Sequence, residues 1–307
     1  MIAKPDICIY HHPCLDGFAA ALAVWLEWGD EVEYRPATYG KPLPLDDVSG
    51  KNVLFVDFCG AGQTMWSLVH DCGCKVTVLD HHKTAKAAME ELLGDGTVEG
   101  VFDMERSGCG IAWDEIHGGE RPRLINHLED RDLWRFALSG TREFFAYIAS
   151  YHYDFDVWNW LRQSADNNLQ YDRMLLSGSA ILGKQAKDIA EWLDQGTQWW
   201  EFSRYPECEP VGPAYQIWPV SEADPLTPPD RVWRVPVVNA PYTHGSDAAH
   251  ELLQRHQEAP FAAYYWDVDG TRRWGLRSAD DREDVSAIAK ARGGGGHRNA
   301  AGFEVAP

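Results

Sequence analysis

Basic charge is scarce in this chain. Lys and Arg number 28 against 47 Asp and Glu, a formal net charge of −19 at pH 7. Affinity for a polyanion comes largely from phosphate neutralisation by basic side chains, so the balance argues against a surface that tracks long duplex DNA. Long apolar runs are lacking too. No stretch approaches the ~20 apolar residues of a membrane span, and the opening MIAKPDICIY, broken by Pro5 and Asp6, has no secretory h-region. Cysteine is sparse and poorly spaced for bridging. Cys8, Cys14, Cys59, Cys72, Cys74, Cys109 and Cys208 make an odd set of 7 without a CxxC pair. This excludes a disulfide framework or paired zinc hooks, and a reducing, cytoplasmic setting without a membrane partner is expected.

What is present suits a folded protein. The composition is 45% hydrophobic with 14 Trp, and no low-complexity block or internal repeat interrupts it. At 307 residues two domains are expected. The acidic excess is uneven: residues 230–307 hold 10 basic against 11 acidic side chains, and residues 1–229 hold 18 against 36. Side-chain recognition of an anion is therefore expected in the C-terminal part.

Short β-rich runs alternate with helical stretches early in the chain. DICIY precedes a helix over 17–28, NVLFVDF one over 62–72, KVTVLD one after Lys83, and TVEGVF one over 108–117. Such alternation predicts βαβ units around a parallel sheet, whose ligands sit beyond the C-terminal strand ends. Apolar positions at helical spacing predict a long connecting helix over 168–193. Residues 206–236 are crowded with proline and read as an irregular surface excursion. A second α/β unit follows, with strands at VWRVPVVN, FAAYYWDV and RRWGLRS, helices over 246–257 and 285–292, and a closing GGGGHRNAAGF. The expected division is a catalytic domain over 1–165, a connecting helix and Pro-rich excursion over 166–232, and a C-terminal substrate domain over 233–307.

The strand ends carry the chemistry. His11, His12 and Asp16 follow the first strand, Asp57 ends NVLFVD, and Asp80 with His81 and His82 ends KVTVLD. A single strand-end Asp is usually a turn former or helix cap, but three clusters converging on one sheet edge suggest a shared site. Mixed carboxylate and imidazole ligands suit Mn2+, Fe2+ or Zn2+ better than Ca2+, and a dinuclear site can activate water and clamp a phosphoryl group. Ser107 reads as a helix N-cap rather than a nucleophile. The pair Trp199/Trp200 reads as packing between domains, and Cys72/Cys74 as structural.

HxxxDG at 12–17, the Asp of VDFCG, DHH at 80–82, EDRDLW at 129–134 and GGGGHRNAAGF at 293–303 occur in that order. Together they resemble the motifs of the DHH phosphoesterase superfamily and its C-terminal substrate-binding domain. That resemblance implies an α/β protein of two domains, a parallel-sheet catalytic domain and a smaller C-terminal α/β domain, with the active site in the cleft between them. It implies His12 and Asp16 on one metal, Asp57 bridging, and His81 with Asp130 on a second, Asp132 being the rival to Asp130. His82 would face the scissile phosphate, and Asp80 would orient a histidine. Arg277, Gly294, Gly295, Gly296 and His297 would bind substrate. Many members of the superfamily carry a further Asp in the first motif, at positions occupied here by Cys14 or Phe18; Cys14 reads as a small buried thiol.

The implied cofactor is one or two Mn2+ ions, with Mg2+, Fe2+ or Zn2+ as alternatives. The implied activity is hydrolysis of short oligonucleotides, as by a nanoRNase or exonuclease, or of small, including cyclic, nucleotide phosphodiesters. A phosphomonoesterase or pyrophosphatase and a non-catalytic nucleotide sensor are the alternatives. The oligomeric state stays open, a homodimer among the choices.

Overall fold

The computed structural model describes residues 2–203 and 232–305. The Pro-rich excursion expected over 206–236 falls mostly outside the described residues. The chain divides into two compact units, 1–183 and 184–307.

The first unit carries five strands, β1 (Ile7–His11), β2 (Glu33–Ala37), β3 (Asn52–Val56), β4 (Lys75–Asp80) and β5 (Glu99–Phe102). Its helices are α1 (Leu15–Trp28), α2 (Gly62–His70), α3 (Lys83–Gly94), α4 (Gly108–Ile116), α5 (Arg123–Asp132), α6 (Thr141–Ile148) and α7 (Phe155–Ala165). The strands run parallel in the order β2-β1-β3-β4-β5. The central strands are near-continuous apolar runs because both faces are covered, and successive residues serve opposite faces. Cys8, Leu54, Val56 and Leu79 join one core with the Ala-rich α1, while Ile7, Ile9, Val53, Phe55, Val76 and Val78 join the other. Residues Ala19–Ala23 of α1 are wholly buried, and their small side chains let the helix lie close to the sheet.

Strand β2 was not anticipated. Its sequence EYRPA holds Pro36 opposite Tyr10, which weakens its strand signal, yet an edge position tolerates the missing N–H. The long helix α8 (Asn168–Gly196) extends three residues beyond its expected end at Leu193, and the division between the units falls within it.

The second unit holds β6 (Gln198–Ser203), β7 (Val232–Asn239), α9 (Tyr242–Arg255), β8 (Ala262–Val268), β9 (Thr271–Arg277), α10 (Val285–Lys290), β10 (Gly295–His297) and β11 (Ala300–Val305). Its mixed sheet has the order β10-β11-β9-β8-β7-β6, in which only β7 and β8 pair in parallel. Trp199 and Trp200 lie on β6, and Trp200 packs against Tyr265 and Trp274 of the same unit. This corrects the expectation that the pair ends the long helix and packs between domains. Among the described residues no helix is long and apolar enough to cross a membrane.

Candidate metal centre

The expected strand-end clusters meet around Asp57. This residue follows β3 with a left-handed backbone, φ +53°, a conformation that Asp tolerates better than most residues and that often marks functional sites. Its carboxylate is buried. Oδ2 lies 3.3 Å from His11 Nδ1, and Oδ1 lies 3.1 Å from His81 Nε2 and 3.9 Å from His82 Nδ1. His81 Nε2 is also 3.8 Å from Asp16 Oδ2 and 3.6 Å from Asp132 Oδ2. Three carboxylates thus surround one buried imidazole.

Helix α4 builds the floor of this cluster. Ser107 caps it, its Oγ accepting from Gly110 N at 3.3 Å, so the N-cap reading of this serine agrees with the structure. The next two backbone N–H groups, of Gly108 and Cys109, donate to Asp16 at 2.7 and 3.1 Å. A helix N-terminus presents such unpaired donors to an anion. Gly108 has a second reason to be glycine: a Cβ there would stand 2.4 Å from Asp57 Cβ. The SGCG segment is thus part of the centre, a role its sequence did not reveal.

Asp80 is fully buried at the end of β4 and works on the two histidines after it. Its Oδ1 accepts from His81 N and from His82 Nδ1, both at 2.7 Å. The His82 ring is thereby fixed at the start of α3. Burial alone would lower its pKa, but Asp80 raises it beyond that effect. Burial likewise opposes charge on His81, yet the neighbouring carboxylates of Asp57, Asp132 and Asp16 push its pKa up to about 10. For Asp57 burial favours the neutral form, but the contacts with His11 and His81 outweigh it and hold the carboxyl well below the usual range. Asp16 and Asp132 are pushed up by burial and by neighbouring carboxylates. The cluster is short of positive charge.

Two expected ligands are placed elsewhere. Asp130 accepts from Ala137 N at 2.8 Å, Leu138 N at 3.1 Å and Thr141 Oγ1 at 2.6 Å. Its carboxylate organises the turn into α6, and Asp132 is the acid of EDRDLW that reaches His81. Glu129 has a third task, with Oε2 accepting from Ser107 N at 3.0 Å and Oε1 from Arg121 at 2.8 Å. His12 packs against Tyr153, ring centroids 5.0 Å apart, while His11 makes the contact to Asp57. His12 Nδ1, like His11 Nδ1, is a buried atom without a hydrogen-bond partner among the described residues.

A divalent ion fits the donor set. Asp57 Oδ1 and His11 Nδ1 are buried atoms without a hydrogen-bond partner among the described residues, the state expected of ligands poised for a cation. His11, Cys14 and Asp57 offer three ligand atoms within 4.8 Å of one another, as do Asp16, Asp57 and His81, and Asp57, Asp80 and His82. Asp57 is common to all three sets.

In the second unit the glycine run is part of a hairpin. Gly295–His297 pair antiparallel with Ala300–Gly302, and a Cβ on Gly294 would stand 2.0 Å from Gly302 O. Close packing therefore accounts for glycine at that position. Arg277 donates from Nε to Ser246 Oγ at 3.0 Å and from Nη1 to its neighbour's carbonyl. Arg298 donates to the carbonyls of Asp280 and Arg282.

The parallel sheet with Asp57 and the Asp80–His82 triplet at its C-terminal edge, followed by a second mixed sheet, is similar in fold to a solved DHH domain. Among solved structures the chain is similar to a DHH domain described as from a member of the s1p family of ribosomal proteins. The two are 15% identical with a TM-score of 0.54, covering 97% of this chain and 82% of that one. RecJ of Thermus thermophilus, solved with Mn2+, is a weaker match at 15% identity and TM-score 0.44, covering 98% of this chain and 49% of that one. An uncharacterized protein of Acanthamoeba polyphaga mimivirus is 29% identical over 317 aligned positions, covering 97% of this chain and 67% of that protein. No family model matches the sequence.

Proposed function

We propose that this protein is a metal-dependent phosphoesterase that hydrolyses short oligonucleotides or small nucleotide phosphodiesters to mononucleotides. The observation that carries the reading is Asp57, buried, unpartnered at Oδ1 and shared by three candidate ligand sets at the C-terminal edge of a parallel sheet. Asp57, Asp16, His81 and Asp132 would hold one divalent ion, and His11 with Asp57 would contribute to another. A bound divalent cation supplies water activation and neutralises charge on phosphoryl oxygens.

The chain's own groups divide the remaining work. Asp80 holds the His82 ring in place to face the scissile phosphate and favours its charged form, suited to developing negative charge. Tyr39 is 42% exposed and its ring lies 5.7 Å from that of His82; an exposed aromatic beside the centre offers a nucleobase a stacking face. The acidic surface favours a short substrate over a long one. Arg277 and His297 are assigned to substrate contact, and Gly295 and Gly296 to backbone approach toward an anion. A reducing cytoplasm suits the six described cysteines, all of them free thiols.

The test is a substrate panel on protein stripped of metal and reloaded with Mn2+ or Zn2+: RNA of two to five nucleotides, cyclic dinucleotides, 3′-phosphoadenosine 5′-phosphate and pyrophosphate. Mononucleotide release that disappears in Asp57→Ala is expected. Cleavage confined to the last two substrates would replace the reading with a phosphomonoesterase or pyrophosphatase. Binding without turnover on any substrate would make the protein a sensor.

A further inference from the structure

The N-cap of α1 places a sulfur beside the centre. We propose that Cys14 is a thiolate ligand, so that His11, Cys14 and Asp57 form a mixed nitrogen, sulfur and oxygen site selective for a softer divalent ion, Zn2+, Fe2+ or Co2+, over Mn2+ and Mg2+. The inference rests on the reading of this centre as a divalent-metal site and names one of its ligands and its metal class.

Three observations support it. The candidate ligand atoms of His11, Cys14 and Asp57 lie within 4.8 Å of one another. Ligand atoms at tetrahedral zinc bond lengths are separated by roughly 3.5 Å, so modest side-chain movement would close the set. Next, His11 Nδ1 and Asp57 Oδ1 are buried without hydrogen-bond partners among the described residues, and Asp57 is only 1% exposed. Two ligand types thus already point into the site independently of the cysteine.

The third observation concerns what Cys14 does not do. It occupies the N-cap position of α1, yet its side chain makes no capping hydrogen bond. It is also half-buried, unlike Cys8 and Cys109 in the core. Phe18, one turn on, is committed to the core, stacked on Phe155 at 4.8 Å and edge-on to Trp158 at 4.9 Å. Cys14 thus adds a second donor, beside Asp16, at the start of α1.

Thiolate selects softer first-row ions, whereas carboxylate and water suit Mg2+ and Mn2+. Binding forms a metal–sulfur bond and releases the thiol proton to solvent, so affinity falls as pH is lowered.

Cobalt separates this inference from the broader reading. Metal-free protein titrated with Co2+ should develop visible d–d absorption together with a near-ultraviolet sulfur-to-cobalt charge-transfer band. Cys14→Ser should lose the charge-transfer band and bind Co2+ at least about tenfold more weakly, the loss that even an outer partner of a ligand produces. Serine is a favoured N-cap residue, so α1 should be retained. Cys14→Asp should also lose the band while shifting preference toward Mn2+. Cobalt d–d absorption without the sulfur band, or unchanged affinity in Cys14→Ser, overturns the thiolate and leaves the metal centre standing. No Co2+ uptake by the wild-type protein overturns both. A second measurement needs no variant: Zn2+ should slow alkylation of Cys14 by iodoacetamide and leave Cys72, the other half-buried cysteine among the described residues, unaffected. Equal rates at Cys14 with and without Zn2+ overturn the inference.

Discussion

Replacing Asp130 and Asp132 separately should produce opposite phenotypes. The Asp130 carboxylate accepts two backbone N–H groups and one hydroxyl within 2.6–3.1 Å and is 4% exposed. Thr141 in turn contacts His127 Nδ1 at 2.8 Å, and His127 Nε2 meets Tyr171 of α8 at 2.8 Å. Asp130→Ala therefore strands donors in a buried network. Hydrogen bonds to a charged group contribute ~1.5–3 kcal/mol each, but losses within one network do not add, so the expected cost is about 2–4 kcal/mol. For a unit of this size that corresponds to a fall in Tm of roughly 5–15 °C.

Asp132 is held by no comparable set of donors among the described residues; it stands among like charges, 3.6 Å from His81. Asp132→Ala should leave Tm of the metal-free protein within about 1 °C or raise it, since it removes a carboxylate whose charge is opposed by its surroundings and by Asp57. It should nevertheless lower Co2+ or Mn2+ affinity by an order of magnitude or more, judged against the effect of outer partners. Differential scanning fluorimetry with and without metal, paired with a metal titration, reads both quantities. An Asp130→Ala protein of normal Tm that no longer binds metal, beside an Asp132→Ala protein that binds normally, would refute the assignment.

Further tests follow from the same geometry. Gly108→Ala should displace Asp57, since its Cβ would stand 2.4 Å from Asp57 Cβ; loss of bound metal in a folded protein is expected, and normal metal content would show that the floor can yield. Ser107→Ala should cost about 1 kcal/mol through the lost cap and keep turnover within a few fold; abolished turnover with metal content intact would revive the nucleophile role. Burial pushes the Asp114 carboxyl up, but hydrogen bonds from Arg121 and Arg106 outweigh it and hold its pKa below the ordinary range. Its stabilising contribution is present above the unfolded pKa near ~3.9 and is lost as pH falls through the folded value. Asp114→Asn should thus be less stable at pH 7 in denaturant melts, and the gap should close below about pH 4; a gap independent of pH would contradict the charge argument.

The sequence by itself determined the alternation of strands and helices, because apolar runs of strand length and helical periods are local signals. It also placed Asp57 and the DHH triplet at strand ends, since turn chemistry follows the last apolar residue directly. The cap role of Ser107 was legible for the same reason. Tertiary structure decided where each member of an ambiguous group is directed. Neighbouring residues at the end of β1 face opposite ways, and the fold alone sets that His11 turns to Asp57 and His12 to Tyr153. On α5, residues 129, 130 and 132 diverge by the helical angle, so the packing of α5 against α4 and α6 sends Glu129 to Ser107, Asp130 to the 137–141 turn and Asp132 to His81. The closeness of Gly108 to Asp57 joins segments about fifty residues apart, and no periodicity encodes a contact between the end of one strand and the start of a distant helix. Local pattern fixes what a residue can be; the direction of its side chain depends on the elements packed around it.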